Sequence, residues 1–449
     1  MKPVYIVHCI DTEGPLYESL EATFERMHHL YQLNLKPSKT NLRKLQQCSL
    51  NIPNKQAIQQ AVHSHHLNYL TDWSQIHKMF KTVTSENVRT FLTDSNNNGW
   101  IYNWFCVDHL NYDNNPRERT IGYHAIFDSY HKFYGRDTSP DLIQFHYHPH
   151  PFNNNAHHCA TRWLYTDKLH QILSRRIIDR LWFPAVNRPG FQVTRPDSHW
   201  FLEQYIPFDY ASLAMKPTKT DNQQLDFSDG RSGDWRRAPR NWTPYHPSHF
   251  DYQTKGDCNR WITRCLNIGT RSYLINKDHI KQAFASASIN LPTVLSFTDH
   301  DFRDIFSDIS HFQHMLLDVK ENYSNKFIYA DAITAMRKSL NLKKQAPPHI
   351  NLCVTHLHPG VDKLEITTDS DTFGPQPYFC FKTHSGQYFH DNLDFQEPQR
   401  RWTYVFDEET FPLRAIEKIG AATNNAYGTT CVSVYDTHTK QTTKRTLNK

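Results

Sequence analysis

The feature that most constrains the fold is an alternation of short apolar runs with longer helical segments. The runs that precede polar residues include residues 4–7, 98–106, 141–145 and 182–185. Repeated strand and helix units predict a parallel α/β barrel or open sheet, in which functional side chains gather at the carboxyl ends of the strands. Four polar residues occupy such ends, namely Asp11, His146, Arg188 and His300. We therefore expect these four side chains to share one edge of the sheet.

The first apolar run leads directly into two carboxylates, Asp11 and Glu13, followed by Gly14. Alternate residues of a strand project to the same side, so both carboxylates can converge on one ion or one water molecule. The alternative is a strand followed by a capped turn, because Asp and Gly are common turn residues.

A histidine cluster follows the run 141–145, with imidazoles at His146, His148 and His150. Neutral imidazole is the commonest nitrogen ligand for zinc and related divalent ions. Three ligands, Glu13 and two histidines, would leave an open position for water, as in catalytic zinc sites. His146 and His148 share a face of an extended strand, whereas His146 and His150 do so only if a turn intervenes, which the proline between them makes plausible. The choice of pair stays open, and a purely structural histidine cluster is the alternative.

These residues, in this order, resemble the motifs of the NodB-type polysaccharide deacetylases of carbohydrate esterase family four. Asp11 and Glu13 resemble the first motif, which supplies a catalytic base and a metal-binding carboxylate, although the family has Asp at the second position. The cluster 146–150 resembles the second motif, which supplies two metal ligands. Arg188, followed by Pro and Gly, resembles the arginine that orients the base, and His300 resembles the general acid.

The resemblance implies a distorted (β/α) barrel of NodB type over residues 1–342, with insertions at about 30–90 and 215–260. It implies a hydrolase that cleaves the carbon–nitrogen amide bond of an N-acylated sugar with metal-activated water, zinc being the expected ion. Asp11 would accept the proton, His300 would protonate the amine, and Arg188 would align Asp11. The expected substrate is a surface-polysaccharide precursor, lipid-linked or nucleotide-linked. A catalytically silent carbohydrate-binding relative of the same fold is the alternative.

The segment 215–260 is rich in Asp, Arg, Pro and Trp and shows little periodicity, which indicates a long functional loop. Interleaved aromatic and basic side chains suit stacking on a sugar ring and pairing with an acidic group. The substrate-binding candidates from this loop and the preceding strand are Asp209, Trp235, Arg236, Arg237 and Tyr245. In the alternative interpretation, the Trp and Tyr side chains anchor the loop to the barrel.

The last hundred residues, 349–449, differ in pattern from the rest of the chain. Short β-type runs, such as 364–368 and 378–383, are separated by Asp, Gly and Asn turns. This pattern predicts a β-rich, sandwich-like accessory domain at the C-terminus.

Charge and cysteine content narrow the class of protein. The formal charge of +5 on 449 residues is small and forms no long basic run apart from the tail near 439–449, so we expect no nucleic-acid partner. Nine scattered cysteines without a C-x-x-C pair favour a reducing compartment. Neither a leader peptide nor an apolar run near the roughly eighteen residues of a membrane span is evident. We therefore expect a cytoplasmic protein without a membrane span.

Overall fold

The structure is a computed structural model that describes residues 1–134, 139–156, 159–160, 162–216, 233–269 and 273–448. Its first eight strands form one parallel sheet. They are β1 (Val4–Thr12), β2 (Tyr102–Cys106), β3 (Leu142–Tyr147), β4 (Val186–Pro189), β5 (Phe208–Ser212), β6 (Trp261–Asn267), β7 (Val294–His300) and β8 (Phe327–Tyr329). Strand β1 pairs with both β2 and β7, so the first seven strands close into a barrel, and β8 pairs with the beginning of β1.

Helices surround this barrel, as the alternating pattern predicts. The described residues form α1 (Leu20–Tyr31), α2 (Lys39–Gln46), α3 (Lys55–Ala61), α4 (Trp73–Thr84), α5 (Glu86–Arg89), α6 (Ala125–Tyr134), α7 (Lys168–Arg180), α8 (Pro196–Tyr205), α9 (Lys277–Ser288), α10 (Phe306–Lys320) and α11 (Ala332–Ser339). All nine residues of β1 are buried, as expected for a central parallel strand covered on both faces. The predicted α/β barrel is therefore confirmed.

The segment 30–90 is largely helical and has a small apolar core of its own. Helices α1 to α3 bury Phe24, Met27, Leu45 and Ile58 together, apart from the main core. Helix α4 instead packs into the main core through side chains such as Phe80. Of these helices, α4 thus attaches the insertion to the main core of the barrel.

The segment 215–260 joins β5 to β6, which are neighbours in the sheet. Its residues 217–232 lie outside the described part of the chain. From 233 to 260 the structure contains no helix, and isolated bridges join Tyr245 to Ile262 and Pro247 to Lys255. The described part of this segment is therefore a long loop, as its sequence indicates.

The C-terminal part consists of two antiparallel sheets. One has the order β13 (Asp394–Glu397), β14 (Arg401–Phe406), β10 (Val361–Thr368), β9 (Ile350–His358), and the other β12 (Tyr388–Asp391), β11 (Tyr378–Thr383), β15 (Ile416–Asn424), β16 (Thr430–Asp436), β17 (Thr442–Leu447). Ile366 and Trp402 of the first sheet share a buried apolar cluster with Phe379, Phe381 and Ile419 of the second. The predicted β-rich accessory domain is confirmed.

The five-stranded sheet also packs against α7 of the barrel. A Cβ added to Gly420 would lie 2.7 Å from Cγ2 of Ile177, so glycine permits this close approach. The Tyr388 hydroxyl donates a hydrogen bond to Asp179 at 2.8 Å. Side chains of this sheet, including Tyr378, belong to the main apolar core. Barrel and accessory domain therefore share one continuous core.

Among the described residues, no helix combines the length and apolar character that crossing a membrane requires. All nine cysteines lie in the described part of the chain, and no disulfide joins them. Most of them, including Cys9 and Cys265 in the barrel strands, are buried.

Candidate metal centre and active site

The carboxyl ends of four barrel strands bring the predicted site residues together. Pairing of β1 with β7 sets Asp11 opposite His300, and pairing of β3 with β4 sets His146 opposite Arg188. The guanidinium of Arg188 then reaches across the barrel to Asp11. The predicted convergence of these four side chains is therefore present.

Asp11 and Arg188 form a buried two-point ion pair. Arg188 donates from Nε to Oδ1 of Asp11 at 2.5 Å and from Nη2 to Oδ2 at 3.1 Å, and its Nη1 donates to the Tyr210 carbonyl oxygen. Burial acts to raise the pKa of Asp11, but Arg188, and then His146 and His300, outweigh it and lower this pKa to about 2. Asp11 is therefore ionised at neutral pH.

Glu13, His146 and His148 form a triad that could hold a metal ion, since one ligand atom from each lies within 4.8 Å of the others. Nε2 of His148 lies 3.0 Å from Nε2 of His146 and 3.6 Å from Oε1 of Glu13. Tetrahedral zinc with bonds of about 2.05 Å sets its ligand atoms about 3.3 Å apart. The two measured separations lie on either side of that value, and two nitrogens with one oxygen are a donor set that zinc prefers. The residues present therefore fit a divalent ion.

Both imidazoles of the triad are held in a form that can bind a cation. Nδ1 of His146 donates to the backbone carbonyl oxygen of Arg188 at 2.7 Å, which leaves the lone pair on Nε2. Burial, and then the nearby His146 and Arg119, lower the pKa of His148 to about 3 against the opposing effect of Glu13. His148 is therefore neutral at physiological pH, as a metal ligand must be.

His150 is directed to the backbone rather than to the triad. Its Nδ1 lies 3.0 Å from the carbonyl oxygen of Pro151, and its Nε2 lies 2.6 Å from that of Leu110. Of the two histidine pairs that the sequence leaves open, the structure gathers His146 with His148.

His300 lies beside both carboxylates of the site. Its Nε2 is 3.7 Å from Oδ2 of Asp11 and 3.9 Å from Oε1 of Glu13. It is the last residue of β7, whereas the following helix begins only at Phe306, so His300 does not cap that helix. A group bound between the two carboxylates would be within reach of this imidazole.

Arg119 also belongs to the site, although nothing in the sequence indicates it. Its Nη2 lies 2.7 Å from Oε2 of Glu13. Burial acts to raise the pKa of Glu13, but Arg119, and then His148 and His300, bring this pKa well below its usual value. Arg119 lies well beyond the end of β2, in the polar loop that leads to α6, so the strand-end rule does not single it out.

Asp301 shapes the turn that carries Glu13. Its carboxylate accepts hydrogen bonds from the backbone N–H groups of Glu13 at 2.7 Å and Gly14 at 3.0 Å, and from the Tyr130 hydroxyl at 2.8 Å. Burial raises the pKa of Asp301 to about 7 against the effect of these donors. Asp301 follows His300 in the sequence, but nothing in the sequence predicts that its carboxylate binds the backbone N–H groups of Glu13 and Gly14.

Asp209 lies in a different buried polar cluster. It accepts a hydrogen bond from Nδ2 of Asn187 at 2.9 Å, and Nε of Arg260 is 3.8 Å from its Oδ2. Asn187 and Arg188 are consecutive in β4 and project to opposite faces, so Asp209 lies on the face away from Asp11. Burial raises the pKa of Asp209 to about 6.

The loop candidates divide into two buried aromatic residues and two exposed arginines. Trp235 and Tyr245 are buried in the main core and donate to the carbonyl oxygens of Gln192 and Tyr252, respectively. Arg236 and Arg237 are exposed and pair with Asp234 and Asp251, respectively. The aromatic side chains thus anchor the loop, as in the alternative interpretation.

The start of the described loop, near Gly233, lies close to the candidate metal triad. Gly233 donates from its backbone N–H to the carbonyl oxygen of Phe191 at 3.1 Å, and the Phe191 ring lies 5.0 Å from the His148 ring. Gly190 is equally close, because a Cβ added there would lie 2.3 Å from Cδ2 of His148. Gly190 and Phe191 therefore pack directly against the His148 imidazole.

Comparisons of this chain with models of known protein families, with curated proteins and with solved structures found no match. The resemblance to NodB-type motifs therefore stays a prediction. A barrel alone does not define a function, so we infer the function from the geometry of this site.

Proposed function

We propose that the protein is a metal-dependent hydrolase of the NodB deacetylase type, which removes the N-acyl group from a sugar. One observation carries this proposal. The ionised Asp11, clamped by Arg188, lies at the same barrel edge as a Glu–His–His triad, with His300 near both carboxylates. This combination supplies a proton acceptor, a cation site and a proton donor within one small volume.

The ligands of the ion would be Glu13, His146 and His148, and zinc suits this donor set. A divalent ion bound there supplies Lewis acidity and lowers the pKa of a coordinated water toward about 7.

Asp11 accepts the proton of the attacking water in this proposal. Arg188 keeps Asp11 ionised and fixes both of its oxygens, but the same ion pair, with a pKa of about 2, makes Asp11 a weak base. The water that it deprotonates must therefore already be acidified, which explains why acceptor and cation site adjoin one another. Base and cation are thus interdependent parts of one mechanism.

His300 donates the proton that the departing amine requires. An amine is a poor leaving group unless it is protonated, and an imidazole is the usual donor at neutral pH. The position of His300 beside both carboxylates allows it to act on the same bound amide as Asp11.

The proposed substrate is an N-acylated sugar in a lipid-linked or nucleotide-linked precursor of a surface polysaccharide. A cytoplasmic location is part of the proposal, and nine cysteines without a disulfide support it.

The test combines metal analysis with amine release from a panel of N-acylated sugars. We expect about one divalent ion per chain, loss of amine release on chelation, and its recovery when zinc is returned. A protein that binds no divalent ion would contradict the proposal. Sugar binding without amine release by the metal-loaded protein would instead favour the catalytically silent relative.

A further inference from the structure

The two carboxylates that face the candidate cation site, Asp11 and Glu13, are each paired with a different guanidinium. Asp11 is paired with Arg188, and Glu13 is paired with Arg119. The first pair corresponds to a motif that the sequence predicts, whereas the second pair has no counterpart there. The role of Arg119 therefore requires a separate explanation.

The two oxygens of Glu13 have different surroundings. Oε2 lies 2.7 Å from Nη2 of Arg119. Oε1 lies 3.6 Å from Nε2 of His148 and 3.9 Å from Nε2 of His300. Thus Arg119 holds one oxygen while the other faces the histidines.

We propose that Arg119 is a positioning residue that restricts Glu13 to metal binding through Oε1 alone. This inference rests on the proposed function, because it concerns the same metal centre. Carboxylates bind cations through one oxygen or through both. NodB-type deacetylases have Asp where this chain has Glu13. The Glu side chain has one more rotatable bond than Asp, so an unrestrained Glu13 is free to present both oxygens to a cation.

Both ends of Glu13 are fixed in the structure. Asp301 accepts a hydrogen bond from the backbone N–H of Glu13 at 2.7 Å, which fixes the point from which the side chain departs. Arg119 is fixed in turn, because its guanidinium carbon lies 4.7 Å from the centre of the Phe302 ring. Arg119 therefore acts on Glu13 from a defined position.

Arg119 also balances the negative charge of Glu13. With Arg188 beside Asp11, Asp11 and Glu13 each have a cationic partner, so their negative charges are balanced without the ion. The neighbouring Arg117 is already paired with Glu18 at 2.7 Å, which makes it a matched control in the same loop.

The test uses Co²⁺-loaded protein, because the visible absorbance of Co²⁺ weakens as its coordination number rises. In Arg119→Gln we expect Glu13 to contribute its second oxygen, with a loss of visible absorbance at equal bound Co²⁺. We expect Arg119→Lys to retain most of the absorbance, because the closest contact of Arg119 with Oε2 is made by one terminal nitrogen, Nη2. Arg117→Gln should match the wild-type spectrum.

An unchanged spectrum in Arg119→Gln with Co²⁺ bound would overturn this inference and leave the metal centre in place. Failure of the wild-type protein to bind Co²⁺ or Zn²⁺ would instead overturn the proposed function, and this inference with it. A crystal structure of the zinc-loaded wild-type protein provides a second test that needs no variant. Glu13 bound through Oε1 with Arg119 on Oε2 supports the inference, and Glu13 bound through both oxygens overturns it.

Discussion

His146 donates a hydrogen bond of 2.7 Å from Nδ1 to the backbone carbonyl oxygen of Arg188. The guanidinium of the same Arg188 binds Asp11. One residue at the end of β4 therefore orients a candidate metal ligand through its backbone and the neighbouring acid through its side chain. In the proposed mechanism, cation binding and proton transfer would therefore both depend on this position, and substitutions can separate them.

Replacing Asp11 with Asn should remove proton transfer while leaving the triad intact. The amide oxygen of Asn can still accept a hydrogen bond from Arg188, but the residue cannot take a proton. We expect amine release to fall by about 10²–10⁴-fold with metal content unchanged. Parallel assays of metal content and thermal unfolding separate this effect from misfolding. Undiminished amine release would exclude Asp11 as the base.

A matched pair of histidine substitutions tests the choice of ligands. His148→Gln should weaken metal binding by more than the about 10–100-fold typical of an outer-shell change, because it removes a ligand. His150→Gln should leave metal binding nearly unchanged, since both ring nitrogens of His150 face backbone carbonyl oxygens. Isothermal titration with Zn²⁺ measures both effects. The reverse order of affinities would show that His150 is the ligand.

Gly190 is expected to be irreplaceable by a larger residue. In Gly190→Ala the added Cβ would lie 2.3 Å from Cδ2 of His148, so the imidazole must move. We expect a loss of about 10–100-fold in zinc affinity, similar to that caused by misplaced outer-shell groups. In a His148→Ala background, the same substitution should destabilise the fold less, because the clash is absent. Equal destabilisation in both backgrounds would refute this explanation.

The loop 233–260 should respond differently to changes at its buried and exposed residues. Trp235→Phe leaves the carbonyl oxygen of Gln192 without its donor and should cost about 1–3 kcal/mol of unfolding free energy. Arg236→Ala, at an exposed position, should change stability by less than about 0.5 kcal/mol. Urea denaturation of the two variants provides the measurement. Similar stability changes in both would contradict the anchoring role of Trp235.

The junction between barrel and accessory domain should be sensitive to acid. The His170 and His390 rings stack at 4.2 Å, and burial, followed by the charge of His390, lowers the pKa of His170 to about 3. An unfolded histidine has a pKa of about 6.5, so between about pH 6.5 and 3 the unfolded state binds a proton that the folded state does not. Stability should therefore fall with decreasing pH in this window, by up to about 1.4 kcal/mol per pH unit for His170.

Denaturation of His170→Gln at about pH 8 and about pH 5 tests this expectation. The variant should lose less stability between the two pH values than the wild-type protein does. His438→Gln, at an exposed position, serves as the control and should behave like the wild-type protein. An equal loss in all three proteins would show that other groups control the acid response.

The sequence predicts much of the site because parallel topology gathers strand ends at one edge. Asp11, His146, Arg188 and His300 each follow from that rule. The choice between His148 and His150 could not be predicted, because it depends on the backbone path after β3.

Other parts of the site depend on tertiary packing that leaves no local pattern. Arg119 reaches Glu13 from a polar loop whose position is set by its contacts with the barrel. Asp209 lies on the face away from Asp11 because of the register of β5 with β4, which hydrophobic patterning does not determine. The sequence around Trp235 and Tyr245 fits loop anchoring and sugar binding equally well. Only the burial of the two side chains in the folded protein favours anchoring.

The continuous core between barrel and accessory sheet has a consequence for dissection of the chain. Truncation near residue 342 would expose the apolar side of α7, where Ile177 meets Gly420, and would remove Tyr378 from the core. The isolated barrel should consequently aggregate or unfold at lower temperature than the full chain. Barrel and sheet should unfold in one cooperative transition. The accessory domain should therefore be required for the stability of the barrel and should not behave as an independently folding domain.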